Sequence, residues 1–235
     1  MNETGSLKLP LLQPSQAQKH VTVNEALVRL DALAQVVLLS RSETLPPPAV
    51  ADGDCYALPA GCGGQWAGQD GKLALASNGG WIFVAPRDGW SAWIADEAAR
   101  ASYLQGRWIA GAVAVAANGA ASRFVTVEAE HMVTAGGAQN VGLDIPADSV
   151  LFACSARVSD TITGSAVSWT LDVDDGSITF GTGMGLASGA YCTGILGQPT
   201  AFYATKAVRL APAGGSFTGG AIRLAAHYYV IDLPV

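Results

Sequence analysis

One segment of the chain, residues 21–39, has the apolar spacing of a helix and contains neither Gly nor Pro. Thr22 and Glu25 stand three residues apart and form a capping-box pattern at its start. Apolar residues then recur at alternating intervals of four and three, which is the seam of about two heptads. The seam consists of Val23, Leu27, Leu30, Ala34 and Val37. The pattern predicts a helix that either packs on its own domain or mediates oligomerisation.

The pattern changes to short apolar runs and turns after this segment. Pro46, Pro47 and Pro48 exclude regular structure and form a rigid spacer, because each lacks a backbone donor. Residues 53–111 then alternate brief apolar stretches with turn sequences such as 77–80 and 86–89, which predicts a small β-meander. Five of the six tryptophans fall here: Trp66, Trp81, Trp90, Trp93 and Trp108. Large aromatics in a small sheet usually form its core, and a binding surface is the alternative.

A second β-rich region follows a stretch of Ala, Gly and Val between residues 106 and 121. Six segments are predicted as strands: 122–129, 150–158, 167–173, 177–180, 200–210 and 220–231. The third is the clearest, because its apolar residues alternate with polar ones and predict one buried apolar face. These apolar residues are Val167, Trp169, Leu171 and Val173. Strands joined by Gly-rich turns indicate a β-sandwich of jelly-roll type.

The predicted fold class is therefore mainly β, with an N-terminal helix and a small β-meander module before a C-terminal β-sandwich. We divide the chain into an arm, helix and spacer at residues 1–48, a Trp-rich β-module at 49–121 and a sandwich at 122–235.

Composition and charge exclude several classes of partner. Thirteen Lys and Arg stand against nineteen Asp and Glu, and no basic cluster occurs, so we expect no nucleic acid. Residues 1–14 lack the pattern of a secretory signal, and no stretch has the length and apolarity of a membrane span. We therefore expect a protein made in the cytoplasm with no membrane partner.

The motifs for catalysis and cofactors are absent or incomplete. Residues 181–185 lack a third glycine at the spacing that a dinucleotide loop requires, and 214–218 lack the last glycine of a nucleophile elbow. His20, His131 and His227 are far apart in sequence and have no second ligand at metal-site spacing. We expect no enzyme, no metal and no organic cofactor, although scattered carboxylates leave a polysaccharide-cleaving enzyme open as an alternative.

Two smaller features each have two interpretations. Residues 172–176 resemble the start of a calcium loop, but Gly183 stands where a bidentate Glu is needed, so a hairpin turn is preferred. The cysteines are expected to be free thiols, and a bridge between Cys55 and Cys62 is the alternative. The full set is Cys55, Cys62, Cys154 and Cys192.

Residues 9–27, which read LPLLQPSQAQKHVTVNEAL, resemble the opening of a family from alphaproteobacterial phages and gene transfer agents. The resemblance continues through residues 81–83 and 89–90 to 106–108, and the stretch QKHVTVNE is its most specific part. Members of that family are uncharacterised fibre or spike components. They include the head-spike fibre of a gene transfer agent that binds the host's capsular polysaccharide.

This resemblance implies a structural spike or fibre protein on the surface of a phage-like particle. The implied partners are a host surface polysaccharide, a capsid or spike-base protein and further copies of the chain, most simply as a trimer. A purely structural fibre without its own receptor site is a further alternative. Sugar recognition needs an exposed ring beside neutral donors, and the carbohydrate-binding candidates are Tyr191, Tyr203, His227, Tyr229, Trp90 and Trp93.

Overall fold

The computed structural model describes residues 3–12 and 19–234, with only the backbone of Lys19. Residues 13–18, which belong to the resembling motif, lie outside the described residues. The chain forms two compact units, Met1–Val115 and Ala116–Val235. The helix and the Trp-rich sheets lie in the first unit and the sandwich in the second. The finer division of the first unit at residue 48 stays a prediction.

The first unit contains one helix and short strands. The helix α1 spans Lys19–Ala34, and the strands are β1 Val37–Leu38, β2 Cys55–Ala57, β3 Leu73–Ser77, β4 Gly80–Val84, β5 Ser91–Ile94, β6 Ala99–Leu104, β7 Arg107–Ala110 and β8 Ala112–Val115. One sheet has the order β1–β5–β6–β7 and another the order β2–β3–β4. Residues 46–48 form no helix or strand, as the three prolines predict.

Tryptophans build much of the core of this unit. Trp66 is fully buried, and its ring centroid lies 5.4 Å from that of Tyr56 and 5.1 Å from that of Trp81. Trp108 is buried in the neighbouring core cluster, and the partly buried Trp90 packs against this cluster. Trp93 differs because it lies on the exposed side of β5. The expectation that the tryptophans form the core is thus correct for most of them.

The helix begins two residues before the predicted segment 21–39 and ends five residues before the end of that segment. It begins at Lys19, so Thr22 lies within it rather than at its cap, and it ends at Ala34. Val37 belongs to β1, where it is exposed while Val36 and Leu38 are buried. The two-residue alternation of a strand replaces the heptad here, because β1 pairs with β5 and buries Leu38 in the core. The heptad seam therefore keeps only its first four members.

The N-terminal arm is attached to α1 through Asp31, which is buried. The Asp31 carboxylate accepts hydrogen bonds from Thr4 Oγ1 at 2.7 Å, from the Ser6 amide at 2.9 Å and from the Leu7 amide at 2.6 Å. Burial raises the pKa of Asp31, but these donors outweigh it and hold the pKa below its ordinary value. The charged carboxylate therefore fixes the arm to the helix.

The second unit consists of strands only within the described residues. They are β9 Ala121–Met132, β10 Gln139–Ile145, β11 Ser149–Gly164, β12 Ser168–Val173, β13 Thr179–Met184, β14 Tyr191–Cys192, β15 Ile195–Phe202, β16 Lys206–Ala213 and β17 Phe217–Asp232. One sheet has the order β10–β16–β12–β13. In the other, β17 lies between β9 and β11, and β11 also pairs with β14 and β15. The second set of four strands is therefore β9–β17–β11–β15, with β14 as a short addition to β11. Together with the first sheet it has jelly-roll connectivity.

The sandwich core lies between these sheets and contains Trp169, Leu171 and Val173 with no exposed surface. Val167 was expected to join them, but it precedes β12 and is 73% exposed. The expected strand 200–210 is two strands, because β15 pairs with β11 in one sheet and β16 with β12 in the other. The chain must cross between the sheets at residues 203–205.

Residues 174–176 form the turn of the β12–β13 hairpin, as preferred over a calcium loop. Two of the acidic side chains are already paired with cations. Arg209 donates to both carboxylate oxygens of Asp172, at 2.9 and 2.8 Å, and Lys206 pairs with Asp175. These ion pairs link the hairpin to β16 and give two of the clustered aspartates a structural partner.

The four cysteines are free thiols, as expected. Burial raises the pKa of Cys55 and of Cys154 to about 12, so both remain protonated at neutral pH. We assign them to the packing of the two cores, in which both are buried.

We expect Trp169→Ala to lower the free energy of unfolding by about 3–5 kcal/mol, because it empties a large core site. It also removes the 2.6 Å hydrogen bond from Trp169 Nε1 to the Gly185 carbonyl. Val167→Ala is the control and should change stability by less than about 0.5 kcal/mol. Urea unfolding followed by far-UV circular dichroism measures both, and equal losses would contradict the assignment.

We expect Asp31→Asn to destabilise the first unit by about 1–3 kcal/mol at neutral pH, because charged hydrogen bonds to the arm are lost. A lowered folded-state pKa stabilises the fold above the ordinary pKa of 3.8, and this contribution disappears as the pH falls through the folded-state pKa. The difference in melting temperature between wild type and variant should therefore narrow in acid. Asp96→Asn, at an exposed carboxylate, is the control.

Candidate functional site

The second unit presents a broad polar face on the outer side of strands β9, β11 and β17, which we call the outer face. Along β17 the residues Ile222, Leu224, Ala226 and Tyr228 are buried in the core. The alternate residues point outward, in line with the predicted common face of Arg223, Ala225, His227 and Tyr229. On β9 their direct partners are Glu130, Glu128, Thr126 and Phe124. The outer face therefore changes from charged to aromatic along its length.

The aromatic end of the outer face consists of Phe124, Phe152 and Tyr229. The ring centroid of Phe124 lies 5.6 Å from that of Phe152 and 5.5 Å from that of Tyr229. Phe124 is 54% exposed, and Tyr229 donates a 2.8 Å hydrogen bond to Ser122 Oγ. Such rings offer flat apolar contact next to a hydroxyl group.

His227 occupies the centre of the outer face. Its Nδ1 lies 3.3 Å from Thr126 Oγ1, and its Nε2 lies 3.2 Å from Ser155 Oγ. Either tautomer of the neutral ring fits, since a hydroxyl group can donate or accept. The two contacts fix the plane of the imidazole between neighbouring strands.

The charged end contains two arginines on paired strands. Arg157 on β11 is directly opposite Arg223 on β17. Arg223 Nε donates to Glu130 Oε1 at 3.1 Å. The Arg157 guanidinium instead lies 5.4 Å from the ring centroid of Tyr191, a cation–π arrangement. Tyr191 is 59% exposed, so this pair is accessible to solvent.

Two adjoining clefts cover this charged end and the centre of the outer face. The first has a volume of about 470 Å³, and Tyr191, Arg157, His227 and Glu128 are among its lining residues. The second, of about 400 Å³, is lined by polar residues that include Asp160 and Ser188. Arg157 and Arg223 line both clefts, so the two form one elongated groove, which we call the outer groove.

The structure brings together three of the six predicted carbohydrate-binding residues. Tyr191 and His227 line the outer groove, and Tyr229 lies on the same face. Tyr191 was expected in a loop but forms the short strand β14 with Cys192, where it pairs with Arg157. This pairing holds the ring against the guanidinium.

The other three predicted binding residues lie elsewhere. Tyr203 was expected in a strand but lies in the loop between β15 and β16, where it is 85% exposed and does not line the groove. Trp90 and Trp93 belong to the first unit, where Trp90 packs against the core and Trp93 is exposed. Their roles in binding stay predictions.

Several residues of the site were not expected from sequence: Phe124, Thr126, Glu128, Phe152, Ser155 and Arg157. The sequence of β9 does indicate one solvent-exposed face, because small apolar residues alternate with Phe124, Thr126, Glu128 and Glu130. The register with β17 and β11, which no local pattern specifies, places these residues beside His227 and Arg223.

The remaining oligomerisation stripe on α1 is accessible within the described chain. Val23 and Leu30 are 42% and 56% exposed, and Leu27 is half-buried. Ala32 is buried on the opposite side of the helix, and the buried Asp31 lies one turn after Leu27, next to the stripe. Self-association through Val23, Leu27, Leu30 and Ala34 stays a prediction.

Residues 3–12 and 19–234 contain no group of three or more side chains arranged to hold a metal ion. None of the helices in these ranges is long and apolar enough to cross a membrane.

Residues 23–109 match the model of a family described as "Protein of unknown function (DUF2793)". The match covers less than half of the chain and overlaps the segments that carry the resemblance described above. No curated protein matches the chain.

Among solved structures, the chain is similar to one from the acidic stable capsid structure of Helicobacter pylori bacteriophage KHP30, with 12% identity and a TM-score of 0.33. The alignment covers 47% of this chain and 96% of that chain. Similarity at this level determines neither fold nor function.

Proposed function

We propose that this protein is a structural spike or fibre component of a phage-like particle and binds a host surface polysaccharide through the outer groove of its sandwich. The observation that carries the binding proposal is the convergence of an exposed tyrosine, a histidine fixed by two hydroxyl groups and two arginines in one open groove. The particle context is supported by the resemblance of residues 9–27 to phage and gene transfer agent proteins.

The chemistry of the outer groove suits a sugar chain. Aromatic faces such as that of Tyr191 stack on the C–H face of a sugar ring, and His227, Ser155 and Thr126 can exchange hydrogen bonds with hydroxyl groups. Most of these residues lie on long paired strands, which keep the positions of the contacts fixed. The elongated shape accommodates several residues of a polymer rather than one small molecule.

The first unit suits assembly rather than recognition. The exposed stripe on α1 offers an apolar seam to further copies of the chain, and we propose a trimer formed through it. Attachment to a capsid or spike-base protein belongs to the same proposal. Immunogold labelling of purified particles tests the location and distinguishes head from tail.

The binding proposal predicts that the purified protein binds some members of an immobilised panel of bacterial capsular polysaccharides. We expect Tyr191→Ala and His227→Ala each to weaken binding about tenfold or more, because each removes a contact in the groove. Tyr229→Ala should weaken it less, since Tyr229 lies beyond the lining of the groove. Biolayer interferometry on correctly folded variants measures these effects.

Tyr203→Ala and Trp93→Ala are the matched controls, because each removes an exposed ring that does not line the groove. If the outer groove is the binding site, both variants should bind as wild type does. If a control variant lost binding while Tyr191→Ala and His227→Ala retained it, the binding site would lie at the residue changed in that control.

We further propose that binding occurs without cleavage. Incubation of the protein with a bound polysaccharide should release no new reducing ends over the background of a heat-denatured sample. A steady increase in reducing ends that requires the folded protein would favour the polysaccharide-cleaving enzyme instead.

The assembly proposal predicts that Leu27→Asp combined with Leu30→Asp lowers the oligomer order, because buried unpaired carboxylates are costly. Multi-angle light scattering should report a trimer for wild type and a smaller mass for the variant. Val21→Asp introduces a charge at an exposed position away from the stripe and should leave the mass unchanged. A wild-type protein with the mass of one chain would contradict the proposal.

A further inference from the structure

The two arginines of the outer groove differ in how their charges are compensated. Like charges directly opposite each other on paired strands are destabilising, and Arg157 and Arg223 are such a pair. Glu130 compensates Arg223. Across residues 3–12 and 19–234, none of the ion pairs involves Arg157, and its guanidinium makes no hydrogen bond there.

Arg157 is nevertheless held in place. Its contact with the Tyr191 ring covers one face of the guanidinium and leaves its N–H groups without a protein acceptor. The side chain is exposed and stands where the two clefts of the outer groove meet. A positioned cation with free donors at the centre of a groove is suited to an anionic group on the ligand.

We propose that the polysaccharide is acidic, that Arg157 pairs with the carboxylate of a uronic acid residue, and that Tyr191 packs against the same sugar. This inference rests on the proposed function and specifies its ligand class. The planar guanidinium matches a carboxylate through two parallel N–H···O bonds.

The surroundings of Arg157 favour a group with a single negative charge. Glu128, Glu130 and Asp160 line the two clefts, so the groove has three carboxylates and two arginines. A multiply charged group would meet repulsion from these carboxylates, whereas one carboxylate can be held by the N–H donors of Arg157, which takes part in no ion pair across residues 3–12 and 19–234. Sugars without charge would leave the guanidinium unpaired.

The test compares uronate polymers with their neutral forms on the same folded protein. The probes are polygalacturonate, alginate and hyaluronate, the same polymers after chemical reduction of their carboxyl groups, and neutral dextran and galactan. We expect binding to at least one uronate polymer, at least about tenfold weaker binding to its reduced form, and weaker binding as salt concentration rises.

Arg157→Gln should weaken uronate binding about tenfold or more and leave binding to the reduced polymer unchanged. Arg100→Gln makes the same charge change at an exposed position of the first unit and is the matched control. Tyr191→Ala should weaken binding to both forms of the polymer, since stacking does not depend on the carboxylate.

The outcomes separate the two proposals. Equal binding of the uronate and reduced polymers, with no effect of Arg157→Gln and a loss in Tyr191→Ala, would overturn the acidic ligand and leave the proposed function in place. Binding to neutral polymers but to no uronate polymer would also overturn the acidic ligand and leave the proposed function in place. If neither these probes nor the capsular panel is bound, both proposals are overturned.

Discussion

The second unit depends on the pairing of three long strands, β9, β11 and β17, of which β11 and β17 have 16 residues each. A pleated strand sends alternate side chains to opposite faces, so their register places one set in the core and the other in the solvent. The same ladder that buries Ile222 and Leu224 therefore aligns Arg223, His227 and Tyr229 on the outer face. A slip of one residue in this register would exchange the core and the site.

Because the site lies on paired strands, its contacts have a common origin. Tyr191 reaches Arg157 only because β14 pairs with β11, and His227 reaches Thr126 and Ser155 because β17 lies between β9 and β11. The bonds of His227 with two hydroxyl groups link the three strands through side chains. The proposed ligand groove is thus built mainly on the ladder, and the loop before β14 adds Ser188 and Gly189.

The first unit combines its hydrophobic clusters with a buried charge on α1. Asp31 holds the arm beside Leu27, while Val23 and Leu30 of the apolar stripe stay exposed. A helix whose apolar residues faced only its own sheets would have no surface left for another copy. The exposed residues of the stripe are what make an assembly role for α1 physically reasonable.

The sequence alone determined the fold class, the Trp-rich sheets, the turn at residues 174–176 and the common face of Arg223, His227 and Tyr229, because these follow from local periodicity and turn chemistry. Only the tertiary structure decided that Val37 leaves the helix for β1, that residues 200–210 split into two strands and that Arg157 meets Tyr191. Each of these depends on pairing with a strand distant in sequence. The physical reason is that hydrogen bonds between strands join residues whose local sequences contain no information about each other.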